Sequence, residues 1–203
     1  MLTKKVFIVF PGFTMDKTDV KPIVDKFKLH YPDSKYILLN PPFRKVTIYN
    51  NQRYRTWYDY YTNYCNKEEY INTDQLKESR NKIHDLINKE SKQVYTKDIY
   101  LIGYSQGACM ALYAGLTYQK KLGGIIGIKG HIPSKTFEDL KCKQNILVSH
   151  GKKDKTIGFN VAEKSYKRIN KQKCNITFLK QTTNHSIKSG LNQLLSYCND
   201  FIK

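Results

Sequence analysis

The chain has 203 residues, 40% of them hydrophobic and 26% charged, and its 35 Lys and Arg against 17 Asp and Glu give a formal net charge of +18. That length and apolar content suit one domain with a sizeable core. No apolar run approaches the roughly 20 residues that span a bilayer, which excludes a transmembrane helix.

Taken in order, "KVFIVF" reads as a first buried strand that Pro11-Gly12 ends, and no small-residue cleavage site follows to make it a signal peptide. "VKPIVDKFKLHY" carries apolar residues at helical spacing, and "YILLN" returns to strand. An irregular aromatic stretch then runs from Pro41 to Asp74, which in an α/β domain reads as a binding loop, a lid or a wall of an acyl site. "TDQLKESRNKIHDLINKESK" is the next helix, followed by "DIYLIGY" as strand and "QGACMALYAGLTYQ" as an amphipathic helix. "GGIIGIKG" and "NILVSHG" are strands, "NVAEKSYKRIN" a helix, "NITFLKQ" a strand and "IKSGLNQLLSYCNDFIK" a closing helix. Near-continuous apolar strands alternating with helices predict an α/β fold with a mostly parallel sheet covered on both faces. We find no internal repeat and no linker, so residues 1–203 read as one domain.

The charge carries less than its size suggests. Basic residues are spread along the chain, and Lys, Asn, Ile and Tyr are abundant together, the mark of an AT-rich coding sequence. Nucleic acid is therefore not an expected partner, and peripheral contact with an anionic membrane is the partner reading that the charge leaves. The five cysteines are odd in number and scattered without paired or metal-like spacing. They read as idle thiols in a reducing, cytoplasmic setting.

Gly103-Tyr104-Ser105-Gln106-Gly107 matches G-x-S-x-G, and it stands where that motif needs to stand, after an apolar strand and at the start of a helix. A serine on such a strained turn is a nucleophile only if a base takes its proton and a third group orients the base. Asp154 lies just beyond "ILVSHG", and His185 just beyond the last strand and immediately before the last helix. Both therefore belong at the carboxyl ends of strands, where open α/β sheets build their sites. His150 precedes the acid and reads as structural, and His30, His84 and His131 as surface or packing residues. Backbone N–H groups of Gln106 and of Phe13, after Gly12, are the candidate oxyanion donors.

Together these residues resemble the acyl-protein thioesterase / phospholipase-carboxylesterase family of α/β-hydrolases. "FPGF" is similar to its L-H-G-L segment with Pro11 for histidine, and "RKVTIYNNQRYRTWYDY" to its R-x-V-T-…-W-[YF]-D block. "GYSQGACM" is similar to its G-[FY]-S-Q-G-G segment, and "HGKKDKTIGF" and "NHSI" to its acid and histidine loops. The resemblance implies the α/β-hydrolase fold, a Ser105–Asp154–His185 triad with Phe13 and Gln106 as oxyanion donors, and no metal or organic cofactor. It also implies acyl ester or thioester substrates, including lipid-modified proteins and lysophospholipids. Lys129, where the family has serine, and the aromatic stretch are expected to reshape the acyl pocket. Trp57 and Tyr58 are the candidates for contact with the acyl chain, while Asp59 reads as a structural acceptor. Because the base must be neutral, activity is expected to rise as pH passes through roughly 6 to 7. The rival reading is a catalytically idle hydrolase fold that binds through its basic surface.

Overall fold

In the computed structural model, residues 5–141, 143–170 and 174–203 are described. The elements are β1 (Val6–Phe10), α1 (Lys21–His30), β2 (Lys35–Leu38), β3 (Phe43–Val46), β4 (Gln52–Arg55), α2 (Thr73–Glu90), β5 (Ile99–Tyr104), α3 (Gln106–Thr117), β6 (Gly124–Ile128), β7 (Asn145–Gly151), α4 (Phe159–Asn170), β8 (Asn175–Gln181) and α5 (Leu191–Phe201). Six strands form one sheet in the order β2-β1-β5-β6-β7-β8, and every neighbouring pair is parallel. Each of the six expected strands is present, and the architecture is that of an α/β-hydrolase.

The period-two geometry of a strand divides the core into two layers. Ile8 and Phe10 of β1 face one way, with Ile99 and Leu101 of β5, against α2, α3 and α4. Phe7 of β1 and Tyr100 and Ile102 of β5 face the other way, against Ile23 and Phe27 of α1 and Leu191, Leu194 and Leu195 of α5. Local signals place the helices: Pro22 sits in the first turn of α1, and the Asn72 side chain accepts the Gln75 N–H to cap α2.

Four expectations change. The helix after Ser105 is not amphipathic, because every residue from Gln106 to Thr117 is buried; small side chains let α3 lie between the sheet and α2. The stretch 41–74 is not wholly irregular, since β3 and β4 pair as an antiparallel hairpin. Its turn carries Asn50 and Asn51, both left-handed, at φ 52° and 59°, a conformation that asparagine tolerates. The last helix starts at Leu191 after the left-handed Gly190, so a loop separates it from His185. Among the cysteines, Cys65, Cys109 and Cys198 are free thiols but Cys174 is disulfide-bonded, which corrects its reading as an idle thiol. Cys142 lies outside the described residues. No helix among the described residues is long and apolar enough to cross a membrane.

Candidate active site

Ser105 occupies the single residue between β5 and α3, at φ 55° and ψ −123°. That conformation costs a non-glycine residue on the order of 1–3 kcal/mol and persists because its surroundings over-determine it. The two flanking glycines are required by contact. A Cβ on Gly107 would lie 2.2 Å from the Phe10 carbonyl oxygen, and one on Gly103 would lie 2.2 Å from that of Gly107. Helix and strand are thereby pressed together, and the elbow is pinned further where the Ser105 N–H donates to the Ile128 carbonyl at 2.9 Å.

The side chains expected to act on the serine meet it. His185 Nε2 lies 2.9 Å from Ser105 Oγ, and His185 Nδ1 lies 2.7 Å from Asp154 Oδ2. The other carboxylate oxygen of Asp154 accepts the N–H groups of Thr156 at 2.9 Å and Ile157 at 3.0 Å. Burial pushes the Asp154 carboxyl up, but the hydrogen bond and charge of His185 and the two N–H groups outweigh it, so its pKa falls below the ordinary value. An ionised Asp154 favours the tautomer with the proton on Nδ1, which leaves Nε2 free to accept from the serine. The Tyr104 hydroxyl donates to the His185 carbonyl and holds that loop from below.

His150 is buried and lies 3.4 Å from Asp154 Oδ2 through Nε2. The same nitrogen donates to the Ile157 carbonyl at 2.8 Å. Burial lowers its pKa, so it is a neutral packing residue, as its place before the acid suggested.

The loop that carries Phe13 lies beside the serine: a Cβ on Gly12 would stand 3.3 Å from Ser105 Cβ. Trp57 Nε1 donates to the Pro11 carbonyl at 2.9 Å, and the Thr14 N–H donates to Arg55 at 2.8 Å, so the loop is held on both sides of Phe13. Gln106 opens α3, and its N–H has no acceptor within the helix. The residue before Phe13 and the residue after Ser105 thus stand beside the serine.

Trp57 and Tyr58, expected to touch an acyl chain, are only 4% and 1% exposed. They form the frame beneath the site rather than its open wall. The aromatic rings gathered around Phe13 are instead Tyr49, Tyr54 and Tyr60, with centroids 5.6 to 6.0 Å from it. Asp59 accepts the Thr47 N–H at 2.8 Å and its hydroxyl at 2.6 Å, a structural acceptor.

Two side chains have roles that the sequence did not reveal. The Gln106 side chain, wholly buried, accepts the Trp57 N–H at 3.0 Å and donates to Thr56 Oγ1 at 2.8 Å and the Tyr58 carbonyl at 3.0 Å. The chemical sign available was a polar amide at the head of an apolar helix, which must find partners when buried. Lys129 is the second: its side chain turns toward the loop after His185 and not into an acyl pocket.

The family model described as Phospholipase/Carboxylesterase matches residues 16–203. This chain belongs to that family. Acyl-protein thioesterase 1 of Schizosaccharomyces pombe is 40% identical over 100 residues, which cover 49% of this chain and 44% of that protein. Acyl-protein thioesterase 1 of Gibberella zeae is 30% identical over 158 residues, covering 65% of this chain and 67% of that one. The match to the first relative therefore spans less than half of its length. Among solved structures, Arabidopsis thaliana SOBER1 superposes with a TM-score of 0.89 at 22% identity, over 98% of this chain and 100% of that one. Zea mays acyl-protein thioesterase 2 superposes with a TM-score of 0.83 at 16% identity, over 99% of this chain and 95% of that one. These likenesses establish the α/β-hydrolase fold.

Proposed function

We propose that the chain is a serine hydrolase that cleaves carboxylic ester or thioester bonds through an acyl-enzyme. One observation carries the reading: a serine on a strained elbow, 2.9 Å from an imidazole that is itself 2.7 Å from a buried carboxylate. Ser105 Oγ attacks the acyl carbonyl while His185 Nε2 takes its proton, and the resulting imidazolium is stabilised by Asp154. The oxyanion is received by the N–H groups of Phe13 and Gln106, oriented before the reaction begins. His185 then protonates the departing thiolate or alkoxide. Water, activated by the same base, attacks the acyl-enzyme and releases the acid.

The names of the matched relatives, acyl-protein thioesterase and carboxylesterase, support acyl thioesters and esters as the substrate class. Lipid-modified proteins and lysophospholipids are the carriers that fit it. Contact with an anionic membrane goes with this reading. Exposed Phe43, Tyr49, Tyr61, Tyr64 and Tyr70 stand in the 41–74 stretch among basic residues such as Lys45, Arg53 and Lys67, a mixture suited to a charged lipid interface. A cytoplasmic location rests on the free thiols of Cys65, Cys109 and Cys198. The Cys174 disulfide weighs against it, and thiol titration of protein isolated without reductant decides.

The direct test is labelling by a fluorophosphonate probe in wild type, Ser105→Ala and His185→Ala. Labelling of the wild type alone supports an activated serine. A folded wild type that takes no label overturns the mechanism.

A further inference from the structure

We propose that Lys129 is a positioning residue for His185: its buried ammonium, bound to Ser186 and Ser189, holds the loop that presents the imidazole to Ser105. The inference rests on the reading of His185 as the base.

Lysine almost never gives up all of its water, yet Lys129 is 0% exposed. It also takes a left-handed backbone, at φ 54°, which would ordinarily be left to glycine. Its N–H is tied to the Ser149 carbonyl of β7 at 2.8 Å. From there Nζ reaches the Ser186 carbonyl at 2.5 Å, the Ser189 carbonyl at 2.9 Å and Ser189 Oγ at 2.6 Å. An ammonium has three protons, and here each has an acceptor.

Those acceptors lie one and four residues beyond His185. Among the described residues, the other hydrogen bonds of 186–189 stay within 184–189: Ser186 N–H to Asn184 Oδ1, Ser189 N–H to the Ser186 carbonyl, and Ser189 Oγ to Asn184 and Ser186. Lys129 is thus the hydrogen-bonded link between this segment and the central sheet. Tyr104 supplies the matching link at the His185 carbonyl itself.

The charge matters as well as the bonds. Asp154 is the charged group whose field favours the ammonium, and it is the same carboxylate that His185 and His150 share. Tyr104, whose hydroxyl donates to the His185 carbonyl, is a further titratable group against this loop, and it too feels the Asp154 charge. The cation is therefore fixed beside the Asp154–His185 pair, and its removal is read in the acid limb of activity as well as in kcat.

The experiment compares wild type, Lys129→Met, Lys129→Arg and Ser189→Ala, as the whole chain, in p-nitrophenyl butyrate hydrolysis across pH, with fluorophosphonate labelling rates and far-UV circular dichroism. Lys129→Met is expected to lose about tenfold or more in kcat with KM within about twofold, as for a displaced base, and its acid limb moves to higher pH. Ser189→Ala keeps the cation and loses one acceptor, so kcat falls about threefold with the limb in place. Lys129→Arg, which keeps the charge, holds the acid limb where wild type has it. A folded Lys129→Met with wild-type kcat, limb and labelling rate overturns the positioning role alone. If Lys129→Met does not fold, unchanged kcat in Ser189→Ala overturns it. A folded wild type that takes no probe removes the base reading, and this inference with it.

Discussion

Gln106 and Trp57, 49 positions apart in the chain, are joined by a hydrogen bond of 3.0 Å from the Trp57 N–H to the Gln106 side-chain carbonyl. The residue proposed to supply an oxyanion N–H from its backbone thus uses its side chain to hold the aromatic stretch in place. Removing that amide strands the buried Trp57 N–H, while the Thr56 hydroxyl and the Tyr58 carbonyl keep only their 2.6 Å bond to each other. Gln106→Ala is therefore expected to lose about 2 kcal/mol of stability, since one stranded buried N–H costs about 1–3 kcal/mol. Urea unfolding with an unchanged m-value checks it. A loss under about 1 kcal/mol would mean that the network is dispensable.

The strain at Ser105 predicts the opposite sign at the neighbouring position. Glycine reaches φ 55°, ψ −123° without a Cβ penalty, so Ser105→Gly should be the more stable protein by about 1 kcal/mol while losing activity. A thermal scan of both proteins reads it. A lower midpoint for the glycine variant would show that the elbow is not strained.

Asp154 governs two readouts. Asp154→Asn can still accept the Thr156 and Ile157 N–H groups but no longer selects the productive tautomer, so kcat/KM is expected to drop about four orders of magnitude with the fold kept. The carboxyl is also held below 3.8 in the folded chain. The unfolded chain therefore takes up the proton first on acidification. The stabilisation from its ionised form is present above that value and lost as pH falls through the lower folded one. The stability difference between wild type and Asp154→Asn should accordingly shrink below pH 3.8 in acid titrations, and a difference that stays constant to pH 2 contradicts the assignment.

Lys129 gives a signature at the alkaline end. Burial brings its pKa down from 10.5 to about 8, with Asp154 pulling it back up. Between those values the unfolded chain binds the proton that the folded chain has released, so this residue's contribution to stability rises with pH from about 8 to 10.5. The buried tyrosines and Cys109, whose pKa values are pushed up, act in the opposite direction. The wild type minus Lys129→Met difference in unfolding free energy isolates the lysine. A flat difference across that window would show that the amine titrates as it does in water.

Much of the fold was legible because its strands are short, apolar and separated by helices of clear period. The catalytic candidates were legible because each follows a strand at the sheet's carboxyl edge. The hairpin of β3 and β4 was hidden by polar, half-exposed strands, although Asn50-Asn51 between them was a usable turn signal. Trp57 and Tyr58 were misplaced for a different reason. Aromatic content in a loop does not say which rings are buried, and the bonds of the Gln106 side chain to the backbone of these two join residues far apart in sequence. Lys129 was visible only as an unusual residue beside a glycine. Its three acceptors lie on a loop nearly 60 residues later, and no local pattern encodes them.

The parallel order of the sheet has a consequence for how the chain is made. Ser105 precedes His185 by 80 positions, and β8, which leads into the histidine loop, pairs only with β7 at the sheet's edge. At roughly 5–20 residues per second, a ribosome delivers the serine several seconds before its base exists. On the proposed mechanism the elbow is an ordinary alcohol throughout that interval, inert toward every acyl group nearby, and it gains its base only when the last strand docks.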